Sequence, residues 1–158
     1  MKIQTGQYAP DFTLYDTAKN KINLASQKGN AVLLLFFPQA FSSVCTKELC
    51  MVRDNLKLYE SVQATVFGIS VDSVYTLAAF KQQQQFNFTL LSDFNKEVSA
   101  SYGTLYPLWK LDMKGVARRS AFVIDKEGIV RYAEIMEKDN EIPDFESIRV
   151  ILEKLSEF

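Results

Sequence analysis

"AVLLLFFPQAFSSVCTKELC", residues 31–50, passes from an unbroken apolar run through a proline-containing turn into a segment that holds both cysteines of the chain. A run without polar alternation, Ala31 to Phe37, suits a central strand covered on both faces. Beyond the turn, Leu49, Val52, Leu56 and Tyr59 recur at spacings of three and four. That period predicts an amphipathic helix over Cys45 to Tyr59, starting near Ser42 or Ser43. Strand, turn and helix in this order open an α/β unit, and they place Cys45 in the first turn of the helix.

Upstream, "DFTLYDTAKNKINLAS" alternates apolar and polar residues on both sides of a polar turn, the pattern of a β-hairpin. Downstream, "ATVFGISVD" reads as a second buried strand and "SVYTLAAFKQQQQF" as a helix with Ser73 at its N-cap. "TLLSD" predicts a third short strand, and a helix follows over Lys96 to Tyr102. "SAFVID" and "IVRYAEI" flank the turn "KEG" as a second hairpin, and a last helix occupies Asp144 to Leu155. This order predicts one α/β domain over residues 1–158, a sandwich with a mixed β-sheet, helices on both faces and an N-terminal β-hairpin. No repeat or linker interrupts it, and Gln82 to Gln85 read as a solvated helix end.

The chain has 158 residues, 47% of them hydrophobic and 23% charged. At that length a domain buries about 70% of its unfolded surface, enough for a core without staples. A net charge of −1 lacks the basic surplus that nucleic-acid binding requires. The N-terminal "MKIQTGQYAP" has no apolar leader core, and Ala31 to Phe37 falls far short of the roughly 20 residues that cross a bilayer. We therefore expect a cytoplasmic protein with neither nucleic acid nor membrane as partner. Thiols are kept reduced in that compartment, so the two cysteines read as free, catalytic or redox-sensing. They are too few for a structural zinc site, and no metal or cofactor is expected. The sequence contains no histidine, which removes Ser-His and Cys-His nucleophile pairs.

If Cys45 is a nucleophile, it must be activated another way. A free thiol has a pKa of about 8.5, and lowering it by two units takes roughly 2.7 kcal/mol. The unpaired N–H groups and dipole of a helix start supply about 0.3–1 kcal/mol, and about 2 in favourable cases. A charge-assisted bond from arginine, worth roughly 1.5–3 kcal/mol, closes the difference. "ARRSAFVID" offers two arginines at the start of a predicted strand, where Arg118 and Arg119 point to opposite faces. Strand parity does not choose between them. The competing reading of Cys45 is a small buried hydrophobe; its place in the first turn, beside Pro38 and Ser42, argues against it.

Pro38, Ser42 and Cys45 match the pattern Pro-x-x-x-Thr/Ser-x-x-Cys, and the stretch resembles the active-site loop of the peroxiredoxins, thiol peroxidases of thioredoxin-like fold. "GQYAPDFTL" is similar to the family's N-terminal segment and "RRSAFVID" to its arginine-bearing strand, with Arg119 in the matching place. Chain length, the "AF" before the serine and "IVRYAEI" resemble the one-domain bacterioferritin-comigratory and AhpE-like subgroup. Serine at position 42 keeps the hydroxyl of the commoner threonine and loses a methyl group. "LYPLWKLDM", residues 105–113, has no counterpart to which a role attaches.

The resemblance implies that the Cys45 thiolate attacks hydrogen peroxide or an organic hydroperoxide and becomes a sulfenic acid. Ser42 and the N–H groups around Val44 and Cys45 would hold the peroxide oxygens, Arg119 would orient thiolate and peroxide, and Pro38 would shield the sulfur. Glu48 reads either as a support for that arginine or as an ordinary first-turn glutamate. Cys50 falls where some members of the subgroup carry a resolving cysteine. In an intact helix, residues five apart sit about 8–9 Å apart at Cα, beyond the ~7 Å reach of a disulfide, so a Cys45–Cys50 bond implies unwinding of residues about 42–51. The other reading packs Cys50 in the helix and leaves reduction to an external thiol. The implied partners are a peroxide, a thioredoxin-like or low-molecular-weight thiol reductant, and a second copy in a homodimer, with Tyr106 to Trp109 read either as its exposed patch or as core. Two alternatives stand beside this: a thiol-disulfide oxidoreductase, which would carry Cys-x-x-Cys, and a redox-regulated interaction or holdase protein of the same fold.

Overall fold

In a computed structural model describing residues 3–157, the apolar run forms β3 (Ala31–Phe36), an interior strand of a seven-stranded sheet. Met1, Lys2 and Phe158, the ends of the expected 1–158 unit, lie outside the described residues. The other strands are β1 (Thr13–Asp16), β2 (Lys21–Asn23), β4 (Ala64–Ser70), β5 (Thr89–Ser92), β6 (Ser120–Ile124) and β7 (Val130–Ile135). Their order is β2-β1-β5-β4-β3-β6-β7. β3, β4 and β5 run parallel, while the remaining pairs are antiparallel, so the sheet is mixed.

The helices are α1 (Ser43–Asp54), α2 (Leu56–Ser61), α3 (Val74–Gln84), α4 (Glu97–Ser101) and α5 (Phe145–Ser156). The connections β3–α1–β4 and β4–α3–β5 step the same way along the sheet. Right-handed crossovers then place α1 and α3 on one face. There Leu33, Leu35 and Phe37 pack with Leu49 and Val52 of α1, Leu77 and Phe80 of α3, and Ile148 and Leu152 of α5. On the other face Val32, Leu34 and Phe36 meet Val98 of α4, Tyr102, Phe12 and Leu24. Alternate residues of β3 serve two cores, which is why no polar residue interrupts it.

Local chemistry sets the boundaries. The Ser73 hydroxyl caps α3 by accepting the Thr76 N–H at 3.1 Å, and Asp144 caps α5 through the Ser147 N–H at 3.1 Å. In the β6–β7 turn, Asp125 accepts the N–H groups of Glu127 and Ile129, and Gly128 takes a φ of 91°. Two expectations change. The helix expected over Cys45 to Tyr59 is two helices, because the Asn55 side chain donates to the Met51 carbonyl at 2.7 Å while its backbone leaves helical geometry. The strand expected to begin at Arg118 begins at Ser120, since the Arg118 N–H is turned to the Thr104 carbonyl.

Candidate active site

Three elements converge where β3 ends. The loop after β3 carries Pro38, buried, and Ser42, half-buried, which stands at the N-cap position of α1. The Ser42 hydroxyl does not cap the helix; it donates to the Gln39 carbonyl at 2.8 Å, while the Ser42 carbonyl accepts the Thr46 N–H and hydroxyl. Phe41 takes a φ of 68°, strained for a residue with a side chain, and packs its ring at a tilt against Phe80, 5.0 Å between centroids. Cys45 follows in the first turn of α1, fully buried.

Arg119, at the mouth of β6, reaches across to α1. Its Nη1 donates to Cys45 Sγ at 3.1 Å and to Glu48 Oε1 at 3.1 Å, and its Nη2 donates to the Asp139 carbonyl at 3.1 Å. Arg118 points away and lays its guanidinium over the Tyr106 ring, 4.2 Å from the centroid. The alternation left two arginines open; only Arg119 meets the cysteine. Burial works against the Arg119 charge, yet the Cys45 sulfur and Glu48 carboxylate beside it hold its pKa above the ordinary arginine value. Glu48 Oε2 and Arg119 Nε are buried without hydrogen-bond partners.

Glu48 is fully buried, and burial pushes its carboxyl up to about 7 against the lowering pull of Arg119. The folded chain therefore holds the Glu48 proton more tightly than the unfolded chain, where this group titrates near 4.5. Its contribution to stability is complete at low pH and is lost as pH rises through about 7. In urea unfolding, the stability of wild type relative to Glu48→Gln is expected to fall across that window; a difference independent of pH would mean that Glu48 stays ionised throughout.

Cys50 is half-buried one turn further along α1. Its thiol faces Gln84 Oε1 at 3.7 Å, and Arg53 Nη1 donates to the Gln84 carbonyl at 2.6 Å. The Asn87 side chain returns a bond to the Arg53 carbonyl at 3.2 Å. Gln84 is thus a fastening for α1 within the glutamine run, while Gln82, Gln83 and Gln85 are exposed. Both cysteines are free. Tyr106 is buried and stacks on Trp109, whose indole nitrogen is buried too; Leu108 and Leu111 of that segment are exposed.

Two residues hold the site without having been read from the sequence. The Asp139 carbonyl is a backbone group with no side-chain signal. Asp72 accepts the Ala40 N–H at 2.8 Å; its one signal is a carboxylate placed between a buried strand and a helix cap. No group of His, Cys, Asp or Glu among the described residues is placed to hold a metal ion, and none of their helices is long and apolar enough to cross a membrane.

A thioredoxin-like sheet that presents a buried cysteine at a helix start, with a buried arginine on its sulfur, defines a thiol-dependent peroxidase. The chain belongs to the AhpC/TSA family, whose sequence pattern matches residues 5–133. It is 38% identical over 145 residues to alkyl hydroperoxide reductase E of Mycobacterium tuberculosis, covering 90% of this chain and 91% of that one. It is 38% identical over 132 residues to the putative peroxiredoxin bcp of Coxiella burnetii, covering 82% and 87%. The crystal structure of peroxidoxin BcpB from Mycobacterium tuberculosis superposes with a TM-score of 0.83 at 29% identity, over 96% of this chain and 97% of that one. The chain is a peroxiredoxin.

Proposed function

We propose that Cys45 reduces hydrogen peroxide and organic hydroperoxides and that Cys50 then resolves the oxidised sulfur. The observation that carries the first step is the 3.1 Å contact from Arg119 Nη1 to Cys45 Sγ. Arg119 aims a charged donor at the sulfur and is fixed at three points, so it needs no reorganisation during reaction. The thiolate lone pair attacks the terminal peroxide oxygen and the O–O bond breaks. Sulfur is oxidised to the sulfenic acid, and the leaving oxygen takes a proton as water or alcohol. Ser42, whose proton is given to Gln39, keeps its oxygen lone pairs for the peroxide hydrogen. Pro38 keeps bulk water from the sulfur. Because Cys45 is covered, peroxide enters by a side-chain opening at exposed Phe41 and Ser43.

In the second step the Cys50 thiolate attacks the sulfenic sulfur, the S–S bond forms as the S–O bond breaks, and the expelled hydroxide takes a proton and leaves as water. Residues 42–51 must unwind for it, which releases Cys50 from Gln84. A dithiol of thioredoxin type then reduces the disulfide. After one equivalent of hydrogen peroxide, intact mass should show loss of two hydrogens in wild type, whereas Cys50→Ser should gain one oxygen and react with dimedone. A lasting sulfenic acid in wild type would remove the resolving role. The reading also includes a cytoplasmic homodimer in which exposed Leu108 and Leu111, rather than the inward-packed Tyr106 and Trp109, face the second copy; sedimentation at micromolar concentration checks it.

A further inference from the structure

We propose that Asp72 is a positioning residue for peroxide reduction, holding the Cys45 loop in its folded form and opposing its unwinding. The second half of this inference rests on the resolving role of Cys50. Among the described residues, Ala40 N–H to Asp72 Oδ2, at 2.8 Å, is the hydrogen bond that joins residues 38–43 to a distant element. Ser42 bonds only within the loop and the first turn of α1.

Asp72 is itself held from several sides. Its Oδ2 also accepts the Ser70 hydroxyl at 2.6 Å, its N–H donates to Ser70 Oγ at 3.2 Å, and its carbonyl accepts the Ser92 hydroxyl at 2.6 Å. Ser70 and Ser92 are buried and paired across the ends of β4 and β5. The sheet therefore presents a fixed carboxylate to the loop after β3, and that loop leads in five residues from Ala40 to Cys45.

Two influences oppose each other here. The left-handed backbone at Phe41 is strained and relaxes when the loop opens. The Ala40–Asp72 bond exists only while the loop is closed, so it offsets that strain. Peroxide reduction needs the closed loop, with Cys45 under Arg119; disulfide formation needs the open one. Removing the Asp72 carboxylate should slow the first reaction and speed the second. A loss of stability that leaves the closed-to-open balance of the loop unchanged should move neither rate in this way.

The test uses the full chain, with stopped-flow Trp109 fluorescence for oxidation by hydrogen peroxide and rapid-quench mass analysis for disulfide formation. Asp72→Ala is expected to lower the oxidation rate about twofold and raise the disulfide rate about fivefold, which together make the roughly tenfold shift in the closed-to-open ratio that one charge-assisted bond supplies. Asp72→Asn keeps an acceptor for Ala40 and should leave both rates within about 1.5-fold of wild type. Ser70→Ala, which frees the carboxylate without removing it, should shift both rates the same way by less, and it serves if Asp72→Ala does not fold. Leu152→Ala, a core change in α5, controls for stability. Unchanged or faster oxidation in Asp72→Ala, or equal shifts in Leu152→Ala, overturns the proposal. Absence of any disulfide in wild type defeats the resolving role instead, and the oxidation rates still judge Asp72.

Discussion

Cys45→Ser is expected to abolish the fast reaction with hydrogen peroxide, a loss of more than about 10⁴-fold, on the scale of removing a nucleophile. The argument is chemical, since a hydroxyl at neutral pH offers almost no oxyanion and oxygen is a far poorer nucleophile toward peroxide than sulfur. The fold should survive, because serine is nearly isosteric and its oxygen still accepts from Arg119 Nη1, which stands 3.1 Å from the sulfur in wild type. Stopped-flow Trp109 fluorescence and peroxide consumption read the rate, and a thermal melt confirms the fold. Residual fast turnover in this variant would move the peroxide chemistry to Cys50.

Arg119→Lys should lower the oxidation rate about 10²-fold, the scale of losing an aimed donor at a reacting centre. One planar group now serves the Cys45 sulfur, the Glu48 carboxylate and the Asp139 carbonyl. A lysine ammonium is shorter and lacks the fork, so it cannot meet all three. Arg118→Lys is the control, because Arg118 stacks on Tyr106 away from the sulfur; it should stay within about twofold. Stability separates from rate at the same position. Arg119→Met removes the partner that lowers the Glu48 pKa, so above about pH 7 the buried carboxyl must either hold a proton or carry an unpaired charge, which costs stability. Adding Glu48→Gln should recover much of the melting temperature while the rate stays low. Recovery of the rate as well would mean that the guanidinium matters for packing rather than for the sulfur.

How far the sequence carried depended on the range of the interactions. The apolar run at Ala31–Phe37 announced a strand buried on both faces because side-chain period is a local property. The cap at Ser73, the helix start at Asp144 and the turn at Lys126–Gly128 were legible for the same reason. Asn55 was not, since whether its amide competes with the helix depends on which carbonyl it finds. The 105–113 segment was ambiguous because aromatic side chains look alike at an interface and in a core, and here the stacked Tyr106 and Trp109 turn inward.

By itself the sequence determined a strand–turn–helix unit with Cys45 in the first turn, a chemistry without histidine, and a pair of arginines on opposite sides of one backbone. Only the tertiary structure decided which arginine meets the sulfur, because that depends on which face β6 turns toward α1 when it pairs antiparallel with β3. Arg119 and Cys45 are 74 positions apart, and no local period spans that distance. The same holds for Asp72 and the Asp139 carbonyl. Each is an unremarkable residue until sheet pairing brings it to the loop or the guanidinium it holds.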